Sequence, residues 1–166
     1  MCSSDLRDPE HMITIIKQLK VRGAPLIGVA AALSLADWTV KSRPAVSDFQ
    51  SMALALRESR PTAVNLMNAM DRLIPLYDGV DQSIVWREAQ HIFSEDVLLC
   101  EKMAQCAFPL IQDGDGILTH CNTGGLATAG RGTAFGAFSY AWENGKKIHI
   151  YVDETRPLLQ GGRLTA

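Results

Sequence analysis

Two short apolar runs in the last third of the chain constrain the fold more than any other feature. GILTH (residues 116–120) follows turn residues, and KKIHIYVDE (residues 146–154) alternates apolar and polar side chains. Both patterns are typical of β-strands. The stretch between them is long enough to hold a crossover helix, which we expect over residues 125–144. A strand, a helix and a second strand in this order predict parallel pairing and an α/β fold.

The first two thirds of the chain show helical periodicity instead. Breaks rich in glycine or proline separate apolar residues that recur at helical spacing. Helices are predicted over residues 9–20, 25–40, 44–59, 83–110 and from Pro61 onward. We therefore expect a helical N-terminal domain, followed by the first part of a parallel α/β domain. These domains are predicted over residues 1–112 and 113–166, and the second is expected to be truncated because two strands make a marginal sheet.

The same periodicity predicts which helical residues face the core. In the helix that begins near Pro61, the inward stripe is predicted at Val64, Met67, Met70 and Leu73. In the next helix, the inward residues are predicted at Val85, Ala89, Ile92, Leu99, Met103 and Cys106.

Composition and charge exclude several classes of protein. The 166 residues are 47% hydrophobic and 20% charged, ordinary values for a globular protein, with a net charge of −2. No Lys/Arg cluster indicates a nucleic-acid or membrane partner, and no apolar run is long enough to span a bilayer. The start, MCSSDLRDPEH, is not a signal peptide. Four cysteines lack zinc-site or disulfide spacing, so we expect a cytoplasmic protein with reduced thiols: Cys2, Cys100, Cys106 and Cys121.

LTHCNTGGLATAGRGTAFG, residues 118–136, holds the main candidate site. Cys121 directly follows the first predicted strand, and ligands bind at the carboxyl ends of parallel strands. Glycines allow close approach of backbone N–H groups, and the next helix N-terminus would favour a phosphate and a thiolate. The spacing matches neither a dinucleotide fingerprint nor a Walker loop. The alternative that the glycines serve only the tight packing of a turn therefore remains open. The phosphate-loop candidates are Asn122, Thr123, Gly124 and Gly125.

Charged residues lie at other breaks in the pattern. Arg22 in VRGAP and Arg60 in SRPTAVN precede predicted helices, where each suits a phosphate as well as it suits a salt bridge or a cap. In DETRPLLQGGR, we expect Asp153 and Glu154 to hold loops. His120 and His149 have no third ligand at metal spacing, so packing or hydrogen bonding is expected of them.

Four segments in this order resemble the methylthioribose-1-phosphate isomerases: VRGAPLIG, SRPTAVNLMN, the LTHCNTGG stretch and VDETRPLLQGGRLTA. The resemblance covers about residues 12–166. That family is similar to the regulatory subunits of translation initiation factor 2B and to archaeal ribose-1,5-bisphosphate isomerase. The resemblance implies a helical domain joined to a Rossmann-like domain, a homodimer when full length, a small-molecule sugar phosphate as ligand, and no cofactor or metal.

The resemblance also implies roles for individual residues. It implies that Cys121 lies at the reacting carbons of the substrate. It implies substrate contacts for Arg22, Gly23, Ala24, Arg60 and Gln160. The family's catalytic Asp and an Asn-Lys pair would follow Ala166, so the 166-residue chain alone is expected to be nearly inactive.

The implied reaction converts 5-methylthioribose 1-phosphate to 5-methylthioribulose 1-phosphate in methionine salvage, through an enediol or a hydride shift. Two alternatives stay open. A ribose-1,5-bisphosphate isomerase should need further basic residues for its second phosphate. A non-enzymatic sensor of the initiation-factor type should lack the cysteine of THCNTG. The opening MCSSDL does not match the family, whose members begin with a few strands before VRGAP.

Overall fold

The computed structural model describes residues 8–166, which form six α-helices and two β-strands. The helices are α1 (Pro9–Lys17), α2 (Ala24–Ser42), α3 (Val46–Glu58), α4 (Val64–Leu73), α5 (Gln82–Ala107) and α6 (Ala134–Glu143). The strands are β1 (Gly116–His120) and β2 (His149–Asp153). The chain divides between Phe93 and Ser94 into two compact units, each described by itself. Cys2 and the rest of MCSSDL lie outside the described residues.

The first unit is built around α2, whose sequence is apolar on nearly all sides, as is typical of a buried helix. Ile27 and Leu35 are fully buried, and α4 and α3 contribute fully buried side chains such as Met70 and Phe49. Burial of each large apolar side chain stabilises the unit by about 1.5–3 kcal/mol. No helix within residues 8–166 is long and apolar enough to cross a membrane.

Close packing joins the first turns of α2 and α4. A Cβ atom at Gly28 would lie 2.6 Å from the backbone oxygen of Asn65 and 2.9 Å from its carbonyl carbon. Real side chains do not approach a backbone so closely, so only glycine permits this crossing. Gly28 lies near the start of α2 and Asn65 is the second residue of α4, so the contact brings the starts of these helices together.

The structure corrects two predicted helix faces. In α4, Val64 is 57% exposed and Leu66 is fully buried, because a strict three-residue spacing drifts away from the helical period. In the second half of α5, Leu99 is 55% exposed and Cys106 is exposed. Cys100 is buried there instead, at 1% exposure.

The two strands of the second unit pair in parallel, as the sequence predicts. Gly116 is opposite His149, and His120 is opposite Asp153 at the carboxyl ends. Thr119 is buried, whereas Leu118 is exposed on the other face. This small parallel sheet confirms the α/β class of the fold.

The predicted crossover helix over residues 125–144 is wrong in its first half. The helix α6 begins only at Ala134, and residues 124–133 form turns. Gly132 has a left-handed backbone with φ +99°, and a Cβ atom there would overlap the backbone oxygen of Thr123. The N–H of Thr133 donates to that same oxygen at 3.0 Å. The glycines therefore fold the chain back on itself before the helix starts.

Candidate functional site

Cys121 and Gln160 meet beyond the carboxyl ends of the two strands. The thiol of Cys121 donates a hydrogen bond to Oε1 of Gln160 at 2.6 Å, although the residues are 39 positions apart. Cys121 is half-buried and has a left-handed backbone with φ +69°. Such conformations are uncommon outside glycine and cluster at functional sites. The structure thus joins two of the residues to which the resemblance assigned substrate chemistry.

The turn after Cys121 is held by its own side chains and by Thr165. The hydroxyl of Thr165 donates to the carbonyl of Cys121 at 2.7 Å and accepts from the N–H of Thr123 at 3.2 Å. Oδ1 of Asn122 accepts from the N–H of Gly124 at 3.3 Å. Thr165 was not singled out in the sequence, because nothing local marks a hydroxyl that acts 44 residues away.

Two polar atoms of this turn are buried without a hydrogen-bond partner among the described residues. They are Nδ2 of Asn122 and Oγ1 of Thr123. A buried polar atom left unpaired costs about 1–3 kcal/mol. A ligand oxygen at this point could accept a hydrogen bond from the amide and from the hydroxyl, and each bond would remove that cost. Gly124 is buried and Gly125 is exposed.

The turn residues 124–133 are anchored within the second unit. Oδ2 of Asp96 accepts from the N–H of Ala129 at 2.6 Å. Arg131 pairs with Glu143 at 2.9 Å and with Glu101 at 3.2 Å, and the hydrogen bond to Glu143 raises the pKa of Arg131 further above its ordinary range. Because α6 starts at Ala134, its N-terminus does not follow Gly125 directly in the sequence. The chain folds back, however, and the N–H groups of Thr133 and Phe135 donate to the carbonyl of Thr123 at 3.0 and 3.4 Å, so the start of α6 lies beside the turn.

Glu154 organises the segment that follows β2. Its carboxylate accepts from the N–H groups of Thr155 at 2.8 Å, Gly161 at 3.0 Å and Gly162 at 3.1 Å. These bonds, chiefly that of Thr155, hold the pKa of Glu154 below its ordinary value. The expectation that Glu154 holds a loop is confirmed.

The two histidines near the sheet lie on its exposed side. His120 is 3.9 Å from the carboxylate of Asp153, and the ring of His149 packs against Tyr151 with centroids 4.5 Å apart. Within residues 8–166, no three His, Cys, Asp or Glu side chains gather as a metal site would require.

The arginines singled out in the sequence lie in the first unit. Arg22 and Gly23 directly precede α2, with Gly23 at φ +99°, and Ala24 is the first residue of that helix. One terminal guanidinium nitrogen of Arg22, Nη2, is buried without a partner among residues 8–166. Arg60 is half-buried in the turn before α4, and no hydrogen bond or ion pair with another described residue engages its side chain. The contact at Gly28 brings these two turns to the same end of the unit.

Comparison with known proteins identifies the family. The model of the initiation factor 2 subunit family matches residues 20–166. The chain is 48% identical over 158 residues to a methylthioribose-1-phosphate isomerase of Serratia proteamaculans, covering 95% of this chain and 46% of that protein. The chain therefore spans about half the length of the curated relatives it matches.

Solved structures agree with the sequence comparison. The 5-methylthioribose 1-phosphate isomerase of Pyrococcus horikoshii superposes with a TM-score of 0.87 at 33% identity, over 96% of this chain and 48% of that one. Subunit delta of the initiation factor eIF-2B of A. fulgidus superposes with a TM-score of 0.79 at 38% identity, over 96% of this chain and 50% of that one. The chain belongs to the initiation factor 2 subunit family.

Proposed function

We propose that the protein acts as a methylthioribose-1-phosphate isomerase, which converts 5-methylthioribose 1-phosphate to 5-methylthioribulose 1-phosphate. The observation that carries this proposal is the hydrogen bond between Cys121 and Gln160 at the carboxyl ends of β1 and β2. Relatives that bear this enzyme's name, at 48% identity in sequence and with a TM-score of 0.87 in structure, support it.

The proposed chemistry is an isomerisation without net oxidation. The bond between C1 and the ring oxygen breaks, and that oxygen gains a proton. The hydrogen on C2 moves to C1 while the C2 hydroxyl loses its proton, so a ketone forms at C2 and atoms and electrons balance. An enediol and a hydride shift both satisfy this balance. Cys121 would stabilise the charge that develops at these carbons or carry a proton, and Gln160 would direct its S–H group.

Substrate binding is proposed for the residues that the resemblance implied and for the phosphate-loop candidates that follow Cys121. The unpaired atoms Nδ2 of Asn122 and Oγ1 of Thr123 suit hydroxyl or phosphate oxygens of a sugar phosphate. In the first unit, Arg22 and Arg60 have guanidinium groups free to bind an anion. The remaining members of the proposed set are Gly23, Ala24, Gly124 and Gly125.

A chimaeric enzyme tests the activity. Residues 1–166 are joined to the remaining half of the Serratia proteamaculans relative, and formation of the ketose is followed by proton NMR. Since catalytic proton-transfer groups contribute about 10²–10⁴-fold, we expect Cys121→Ala to lower kcat by at least about 100-fold. Cys106→Ala, which removes an exposed thiol of the same unit, is the matched control and should leave kcat unchanged.

Equal turnover in the two cysteine variants would contradict the role of Cys121. A chimaera that shows no turnover but gains thermal stability with the sugar phosphate would favour a second function, a non-catalytic sensor. The TM-score of 0.79 with the A. fulgidus initiation-factor subunit is the observation that favours this alternative. We further propose a cytoplasmic homodimer for the full-length protein, which sedimentation of the chimaera would test.

A further inference from the structure

We propose that Glu154 is a positioning residue for Cys121, acting through Gln160. The proposal deepens the proposed function and rests on it, since it matters for catalysis only if Cys121 is the reactive group. Its basis is a chain of contacts that runs from the carboxylate of Glu154, through the backbone of the next segment, to the sulfur.

The register of the sheet places Glu154 and Cys121 at equivalent positions. His120 is opposite Asp153 at the end of the parallel pair, so Cys121 and Glu154 are the first residues beyond it on neighbouring strands. Neighbouring strands are about 4.8 Å apart, so a residue held by Glu154 has only a short distance to span.

The carboxylate of Glu154 closes the segment over residues 154–162 into a loop. It accepts from the N–H of Thr155 at the start of the loop and from those of Gly161 and Gly162 at its end. The N–H of Gln160 donates to the hydroxyl of Thr155 at 3.0 Å. The backbone of Gln160 is therefore fixed on both sides by groups that Glu154 holds.

Two glycines let the loop close on the strand. A Cβ atom at Gly161 would overlap the backbone oxygen of Asp153, so this backbone lies directly against the end of β2. A Cβ atom at Gly162 would lie 2.9 Å from Oε2 of Glu154, so even a methyl group there would displace the carboxylate. From this fixed backbone, Oε1 of Gln160 reaches the thiol of Cys121 at 2.6 Å.

Alkylation of the unmodified 166-residue chain with iodoacetamide tests the proposal. Peptide mass spectrometry gives the rate at each cysteine. Gln160→Leu removes the acceptor and should raise the rate at Cys121 about fivefold, the factor that one hydrogen bond of ordinary net strength provides. Glu154→Gln should produce the same rise. The double variant should match either single variant, because both act on one contact.

The variants are compared with internal and external controls. Buried Cys100 reports unfolding, and exposed Cys106 reports reagent activity. Asp113→Asn is the matched control, since Asp113 also accepts a backbone N–H, that of Lys147 at 2.7 Å, but precedes β1 at the opposite end of the sheet. It should leave the rate at Cys121 unchanged. If Glu154→Gln exposes Cys100, Gly162→Ala replaces it with the same expectation.

Three results would overturn the proposal. Glu154→Gln could leave the rate at the wild-type value while Gln160→Leu raises it. The double variant could reach about 25-fold, which means independent effects. Gln160→Leu itself could change nothing. The assay needs no substrate, so failure of the isomerase assay alone would count against the proposed function and leave this result standing.

Discussion

Replacing Gly28 with alanine places a methyl group at the closest approach of α2 and α4. In an isolated helix this change would stabilise the helix by about 1 kcal/mol, because alanine has a higher helix propensity than glycine. Here the new Cβ would lie 2.6 Å from the oxygen of Asn65 and 3.3 Å from the nitrogen of Leu66, both backbone atoms that no side-chain rotation can move. Restoring an ordinary contact of 3.4 Å requires the helices to separate by about 0.8 Å.

Such overpacking costs about 1–3 kcal/mol, and the upper part of that range, about 2–3 kcal/mol, applies here because the contacts are with backbone atoms. After the helix-propensity gain of about 1 kcal/mol, we expect Gly28→Ala to lower the free energy of unfolding by about 1–2 kcal/mol. Urea unfolding followed by circular dichroism measures this change. The matched control is Gly136→Ala in α6, where the nearest atoms, at 3.1 and 3.4 Å, belong to the side chain of Arg131 and can move. The control should be close to neutral, and a Gly28→Ala chain as stable as the wild type would refute the packing argument.

Two further predictions concern the second unit. Gly132→Ala combines a left-handed φ of +99° with overlap against Thr123, whereas Gly145→Ala has φ +85° and open space. In urea unfolding, we expect Gly145→Ala to lower the free energy of unfolding by the backbone penalty alone, about 1–2 kcal/mol. Gly132→Ala should lower it by at least about 1 kcal/mol more, and equal losses would contradict this. Because the folded-state pKa of Glu154 is lowered, its hydrogen bonds stabilise the loop above the ordinary glutamate range and are lost as pH falls through that lowered pKa. In NMR, the amide chemical shifts of Gly161 and Gly162 should change together as the pH passes through that lowered pKa. A midpoint above the ordinary glutamate pKa would contradict this mechanism.

Strong local patterns predicted most of the architecture. The long apolar segment of α2 and the two strand-like runs have few alternative structures, so helix, strands and parallel pairing follow from them. The structure of the stretch before α6 was not predicted correctly. Its alanines favour a helix, whereas Gly132 needs a left-handed conformation that helix and strand propensities do not describe. The inward position of Leu66 was missed because the predicted stripe followed a strict three-residue spacing, which drifts away from the helical period of about 3.6 residues.

The candidate site was predictable to the extent that topology brings strand ends together. Cys121 and the segment that contains Gln160 both follow strands, so parallel pairing predicts that they lie at the same end of the sheet. The hydrogen bond between the two side chains is seen only in the folded chain. The contacts that refine the site were not visible in the sequence. Thr165 and Asp96 are ordinary residues whose partners lie 44 and 33 positions away, and only the folded chain shows which backbone groups they meet.

The segment after β2 forms hydrogen bonds with Cys121 at two points. Gln160 holds the sulfur and Thr165 holds the carbonyl, and both residues belong to the same short piece of chain. When that piece detaches, the two contacts are lost in a single event, so the turn and the segment form one cooperative opening unit. Hydrogen exchange at the amides of Thr123 and Gln160 should then report one common free energy of opening, and the accessibility of the Cys121 thiol should follow the same equilibrium.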